Sequence, residues 1–167
     1  MKNDNAKFKE FLGISGGKSI AFNIDDTGSM SGEIAAAKQH ALKIVDSYSK
    51  SPNPPSKYLI QTFNDPTIGE IVITDNRATI VSTFDKIYAH DGGDAPELCL
   101  SGLENILKNL PDKSYSEIFV YTDAPAKDVE KESLVLGLIE QKKARVAFLL
   151  TGGFRSSRDI SIYNKIA

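Results

Sequence analysis

The sequence predicts an α/β fold: an open, mostly parallel sheet with helices on both faces and one antiparallel edge strand. Three observations carry this. The runs Ile20 to Ile24, Glu117 to Tyr121 and Arg145 to Leu150 have strand length and are mostly apolar, as strands covered on both faces are. They alternate with segments whose apolar residues recur at helical spacing. Clusters of Gly, Pro, Asp and Asn punctuate the joins.

Residues 1–17 read as a polar lead-in and 18–167 as a single domain. Gly16-Gly17-Lys18-Ser19 looks like the end of a phosphate-binding loop. Leu12 stands where that loop's first glycine belongs, however, and the segment precedes a strand instead of following one, so no nucleotide is expected. After the strand at Ile20, a helix over Gly32 to Lys50 places Ile34, Ala37, Ala41, Ile44, Val45 and Tyr48 on one face, with Ser29 or Ser31 as its cap. Ser51 to Pro55 forbids both helix and strand. Lys57 to Phe63 is the second strand and Ile68 to Ile73 the third. The short link Asn64-Asp65-Pro66-Thr67 makes that pair antiparallel.

Ala78 to Tyr88 reads as a helix with Ile80, Val81, Phe84, Ile87 and Tyr88 inward. The loop His90 to Ala95 leads to a helix starting at Pro96, since proline suits a first turn, with Leu98, Leu103, Ile106, Leu107 and Leu110 inward. Glu117 to Tyr121 is followed by a helix over Asp128 to Lys142, with Leu134, Val135, Leu138 and Ile139 inward. The strand Arg145 to Leu150 and a short helix, Ser157 to Ile166, complete the order.

Composition narrows the function. With 20 Lys and Arg against 22 Asp and Glu, a net charge of −2, the chain offers no basic face for nucleic acid or an anionic membrane. No apolar run reaches membrane-spanning length, so no membrane insertion is expected. Cys99 is the sole cysteine, which excludes an internal disulfide. His40 and His90 are too few and too scattered for a zinc site of nitrogen ligands. Met1 to Glu10 has no apolar core of a signal peptide, which fits a cytoplasmic protein or a piece of a longer chain.

The chemistry gathers where the first strand ends. Asp25-Asp26-Thr27-Gly28-Ser29 supplies two carboxylates and two hydroxyls, and Asp25, Thr27 and Ser29 alternate so that a looping backbone turns them to one point. Hard oxygens so placed suit magnesium or calcium. Asp123 ends a later strand, and the loop carrying Asp94 feeds the helix before it. In open parallel sheets, ligands bind beyond the carboxyl ends of the strands where the winding reverses. Asp25, Thr27, Ser29, Asp94 and Asp123 are therefore the candidate metal ligands.

At these residues the chain resembles the von Willebrand factor A (vWA) domains, in their hemicentin-like type. The likeness lies in Asp25-x-Thr27-x-Ser29-Met30, Phe63-Asn64-Asp65-Pro66, Gly92 to Glu97, Tyr121 to Ala124, Ala126-Lys127-Asp128 and Leu149 to Gly152. It implies a Rossmann-like sheet with a metal-ion-dependent adhesion site at its top. Thr27 and Ser29 would bind the ion directly, and Asp25 and Asp123 directly or through water. Asp26, Gly28, Met30, Gly93 and Ala124 would form a rim for a partner. The cation would be Mg²⁺ first, with Ca²⁺ or Mn²⁺ as alternatives, and an acidic side chain of a partner protein would complete its shell. Asp94 stands where such domains place a threonine, which adds negative charge. The resemblance also implies a non-enzymatic module within a larger protein, an extracellular or cell-surface setting, and a domain lacking its usual last strand and helix. Two alternatives remain: a domain in which the metal only stabilises the fold, and a Mg²⁺-dependent phosphohydrolase with Asp25 as nucleophile, Asp26 as acid/base and Lys127 in support.

Overall fold

The computed structural model describes residues 17–93, 95–152, 154 and 156–167. β1 (Ser19–Asp25) is buried over its full length. It lies at the centre of a five-stranded sheet of order β3-β2-β1-β4-β5. β2 (Lys57–Phe63) and β4 (Glu117–Thr122) flank it in parallel, and β5 (Arg145–Leu150) runs parallel beside β4. β3 (Val72–Thr74) is the antiparallel edge, paired with β2 through Tyr58–Thr74 and Ile60–Val72. The third strand is thus shorter than Ile68 to Ile73. Ile68 makes only an isolated bridge to Phe63, and Gln61 Nε2 donates to the Gly69 carbonyl at 2.7 Å.

Alternation along β1 sorts its side chains between two cores. Ile20, Phe22 and Ile24 pack beneath α1 (Ile34–Ser49) and α2 (Arg77–Lys86). Ala21 joins the core on the other face, under α3 (Cys99–Asn109), α4 (Glu132–Lys142) and α5 (Ser161–Ile166). Asn23, on that same face, donates to the Cys99 carbonyl at 3.1 Å.

The helix boundaries shift, and the last helix begins at Ser161 and not at Ser157. α1 begins at Ile34 after a 3₁₀ turn over Gly28–Gly32, and no serine caps it, because the Ser29 hydroxyl is engaged by Asp123. α2 ends at Lys86, so Tyr88 lies beyond the helix and is 68% exposed. α3 begins at Cys99, not Pro96. The preceding backbone is spent on a parallel bridge from Glu97 to Ala126, with Glu97 N donating to the Pro125 carbonyl at 2.9 Å. The missing cap of α3 comes from afar: Leu100 N and Ser101 N donate to the two oxygens of Asp128 at 3.1 and 2.5 Å. α4 follows a 3₁₀ turn, Val129–Lys131, and turns Val135 inward but Leu134 out.

Among the described residues no helix is long and apolar enough to cross a membrane. Lys18, from the phosphate-loop-like segment, pairs with Glu117 at 2.6 Å, while residues 13–16 of that segment lie outside the described residues.

Candidate metal centre

The winding reverses between β1 and β4, and there the carboxyl ends of the two strands lie side by side, with Ile24 opposite Tyr121. Asp25 and Thr122, next along their strands, meet directly: the Thr122 hydroxyl donates to Asp25 Oδ2 at 2.6 Å. Asp25 Oδ1 accepts from Thr27 N at 3.0 Å and from the Thr27 hydroxyl at 2.6 Å. Thr27 Oγ1 lies 3.1 Å from Ser29 Oγ, and Ser29 in turn donates to Asp123 Oδ1 at 3.0 Å. A continuous chain of oxygens thus runs from Thr122 through Asp25, Thr27 and Ser29 to Asp123. A hydroxyl whose proton goes to a carboxylate keeps lone pairs free to face a cation.

The chain grades from inside to outside. Asp25 is fully buried and Thr27 nearly so, Asp123 is half-buried, and Ser29 is exposed. Burial pushes the Asp25 carboxyl above its usual range; hydrogen bonds from Thr122 and Thr27 pull it back, and Asp123 adds to the rise.

The loop after α2 closes over this chain. Gly28 N donates to the Asp91 carbonyl at 3.0 Å. Gly92 has φ +72°, and a Cβ there would sit 2.7 Å from Thr27 Cβ, so the loop reaches Thr27 only because that residue is glycine. Asp94, the remaining candidate ligand, lies outside the described residues.

The expected rim changes. Met30, in the core beneath α1, is 1% exposed and Ala124 is 3% exposed, so their side chains offer nothing to a partner. Asp26 is also buried: Oδ1 accepts from Asn64 Nδ2 at 2.9 Å, and Oδ2 lies 3.4 Å from His90 Nε2. His90 also bonds Asp91 at 2.8 Å, and that bond, before the pull of Asp26, raises its imidazole above the usual value. Asp26 therefore ties the first loop to Asn64 and His90 from below. Gly28 and Gly93 remain accessible, half-buried and exposed respectively.

Two further groups belong to the centre. Thr122 completes the hydrogen bonding of Asp25. Glu97 is 3% exposed, and its Oε2 finds no hydrogen-bond partner among the described residues. Burial, then the charges of Asp25, Asp65 and Asp123, push its carboxyl up to about 7, against a smaller pull from Lys127. Thr122 is foreshadowed by its place beside Asp123 in the sequence. Glu97 ends the Gly92 to Glu97 stretch that carries the family likeness, but its burial has no local signal, because glutamate usually lies at the surface.

Among the described residues no three His, Cys, Asp or Glu side chains form a metal-holding cluster. The donors at the mouth are instead mixed hydroxyls and carboxylates, all hard oxygens. That set fits a hard divalent cation better than a soft one.

A family model for the von Willebrand factor A domain matches residues 19–166. The chain is 40% identical over 144 residues to "von Willebrand factor A domain-containing protein 7" of Rattus norvegicus, covering 86% of the chain and 16% of that protein. It is 34% identical over 156 residues to "Hemicentin-1" of Homo sapiens, covering 91% of the chain and 3% of that protein. The chain thus spans a small part of these relatives. Among solved structures, proximal thread matrix protein 1 from the mussel byssus superposes with a TM-score of 0.66 at 20% identity, over 88% of the chain and 39% of that one. A further structure of the same protein, described as having a zinc-occupied MIDAS motif, gives 0.66 at 19% identity, over 88% and 39%.

Proposed function

The chain belongs to the von Willebrand factor A domain family, and from that premise we propose that it is a non-enzymatic interaction module holding one divalent cation between the ends of β1 and β4. Thr27 and Ser29 offer hydroxyl oxygens to the ion, Asp123 and Asp94 offer carboxylates, and Asp25 orients the hydroxyls from beneath. Mg²⁺ suits the donor set best, with Ca²⁺ or Mn²⁺ as substitutes. A bound cation supplies positive charge at a mouth edged by Gly28 and Gly93, and there it draws an acidic side chain of a partner protein. We read residues 18–167 as one such unit within a longer protein.

The observation that carries this reading is the oxygen chain Asp25–Thr27–Ser29–Asp123, which joins two separate segments at the sheet's switch point. The test is titration of the chain with an acidic peptide, followed by heat, in Mg²⁺ and again in EDTA. Binding is expected in Mg²⁺ and lost in EDTA; binding that survives chelation overturns the reading.

A second reading, in which the cation only stabilises the fold, is favoured by the closure of the oxygen chain within the protein itself. It expects Ser29→Ala to abolish the cation-induced rise in Tm while partner binding stays intact. A phosphohydrolase has less in its support. Both oxygens of Asp25 are taken by Thr27 and Thr122, and Lys127 is paired with Asp65.

A further inference from the structure

Tyr88 is the most exposed large hydrophobic side chain among the described residues. Its backbone is pinned on both sides. Ile87, before it, is buried, its N–H donating to the Phe84 carbonyl at 3.1 Å and its carbonyl accepting from Lys38 Nζ at 2.9 Å. His90, after it, donates its N–H to the Asp26 carbonyl at 2.8 Å. The Tyr88 ring packs at a tilt on the His90 ring, centroids 5.2 Å apart. That imidazole is itself fixed, by Asp91 at 2.8 Å and Asp26 at 3.4 Å. An exposed aromatic held this firmly meets a binder at little cost in conformational freedom.

The loop that holds Tyr88 out also closes the mouth. Gly28 N donates to the Asp91 carbonyl at 3.0 Å, and Gly92 packs against the proposed ligand Thr27. Tyr115, the next most exposed, precedes β4 and so lies at the amino end of the sheet, away from the mouth. Beside Tyr88 and His90 a cavity of about 230 Å³ opens between Asp26, Ile60, Val72 and Ile87. A cavity of about 150 Å³ suffices for benzene, so this one takes a single aromatic ring, and Ile60, Val72 and Ile87 give it apolar walls. Asp26 and Glu70 line it too, against one lysine, Lys86, which disfavours the phosphates of a nucleotide.

We infer that Tyr88 sets partner specificity: it and the cavity beside it receive an aromatic side chain flanking the acidic residue that the cation draws. This rests on the cation site of the proposed function. The acid on the ion fixes the partner at one point, and a ring against Tyr88 fixes it at a second, which selects acids in an aromatic context. An aromatic pair contributes about 2- to 10-fold in affinity beyond its buried area.

The experiment titrates the full chain in Mg²⁺ with two labelled peptides, followed by fluorescence anisotropy, and repeats both in EDTA. One peptide carries a glutamate flanked by tryptophans, the other the same glutamate flanked by glycines. Wild type, Tyr88→Ala and Tyr88→Phe are compared; Tyr88 is exposed, so both substitutions leave the fold intact. Wild type is expected to prefer the tryptophan peptide by about 2- to 10-fold. Tyr88→Phe keeps that preference, Tyr88→Ala loses it, and EDTA removes binding in all three. Equal binding of the two peptides by wild type, a preference that persists in Tyr88→Ala, or one lost in Tyr88→Phe overturns the role of Tyr88, and with EDTA sensitivity intact it leaves the cation site standing. Binding that survives EDTA overturns the cation reading on which this one rests. Absence of binding to either peptide overturns both.

Discussion

Asp25 and Glu97 are both acids buried at the top of the sheet, yet Asp25 accepts three hydrogen bonds from Thr27 and Thr122 while Glu97 leaves Oε2 without a partner among the described residues. Burial raises both carboxyls, but only Asp25 is pulled back by donors of its own. The difference separates two kinds of buried charge. Asp25 is finished by the fold, its hydrogen bonds holding the loop's shape. Glu97 keeps an oxygen that the described residues leave unsatisfied.

The comparison breaks most readily at Asp25. Asp25→Ala strands Thr27 N and two hydroxyls, and the expected cost is about 2–4 kcal/mol in urea unfolding, in EDTA as well as in Mg²⁺. A loss confined to Mg²⁺ would mean that Asp25 is completed by the ion and not by its own donors. Asp128→Ala comes next. It frees two amides at the start of α3, with an expected loss of about 2 kcal/mol by the same measurement and no dependence on cation.

Smaller still is the pH effect. The folded carboxyl of Glu97 lies above its unfolded value, so its favourable contribution is full at acid pH and is lost as pH rises through about 7. Asp25 and His90 are shifted in the same direction and add to the slope. In EDTA, stability should therefore fall from about pH 5 to pH 8, and Glu97→Gln should recover about 1 kcal/mol of it at the alkaline end. An unchanged slope in that variant would place the burden elsewhere. The smallest effect belongs to Ser29→Ala. Ser29 is exposed, so its replacement should cost within about 0.5 kcal/mol in EDTA, yet remove the Tm gain that Mg²⁺ confers on wild type.

Much of this was legible in the sequence. β2 and β5 begin and end where their apolar runs do, and β1 extends one residue past each end of its run. The rule that ligands gather where the winding reverses pointed to the ends of these strands, while the pairing of β1 with β4, which sets Asp25 and Ser29 near Asp123, came from the structure. What stayed hidden depends on long-range contacts. The start of α3 moved because Glu97 pairs with Ala126, a partner no local pattern reveals. Met30 and Ala124 looked like rim because they sit beside the ligands in the chain, but the 3₁₀ turn and the bend after Thr122 point them into the core. Tyr88 fits a helical repeat on paper, yet α2 stops before it.

The reach of Asp128 across to Leu100 and Ser101 has a consequence beyond stability. Asp128 follows the loop of Asp123, and α3 follows the loop of Glu97, so one carboxylate latches the two walls of the mouth to each other. Anything that tightens one wall slows the breathing of the other. The amide protons of Leu100, which is buried, and of Ser101, which is half-buried, thereby become quiet reporters of what happens there.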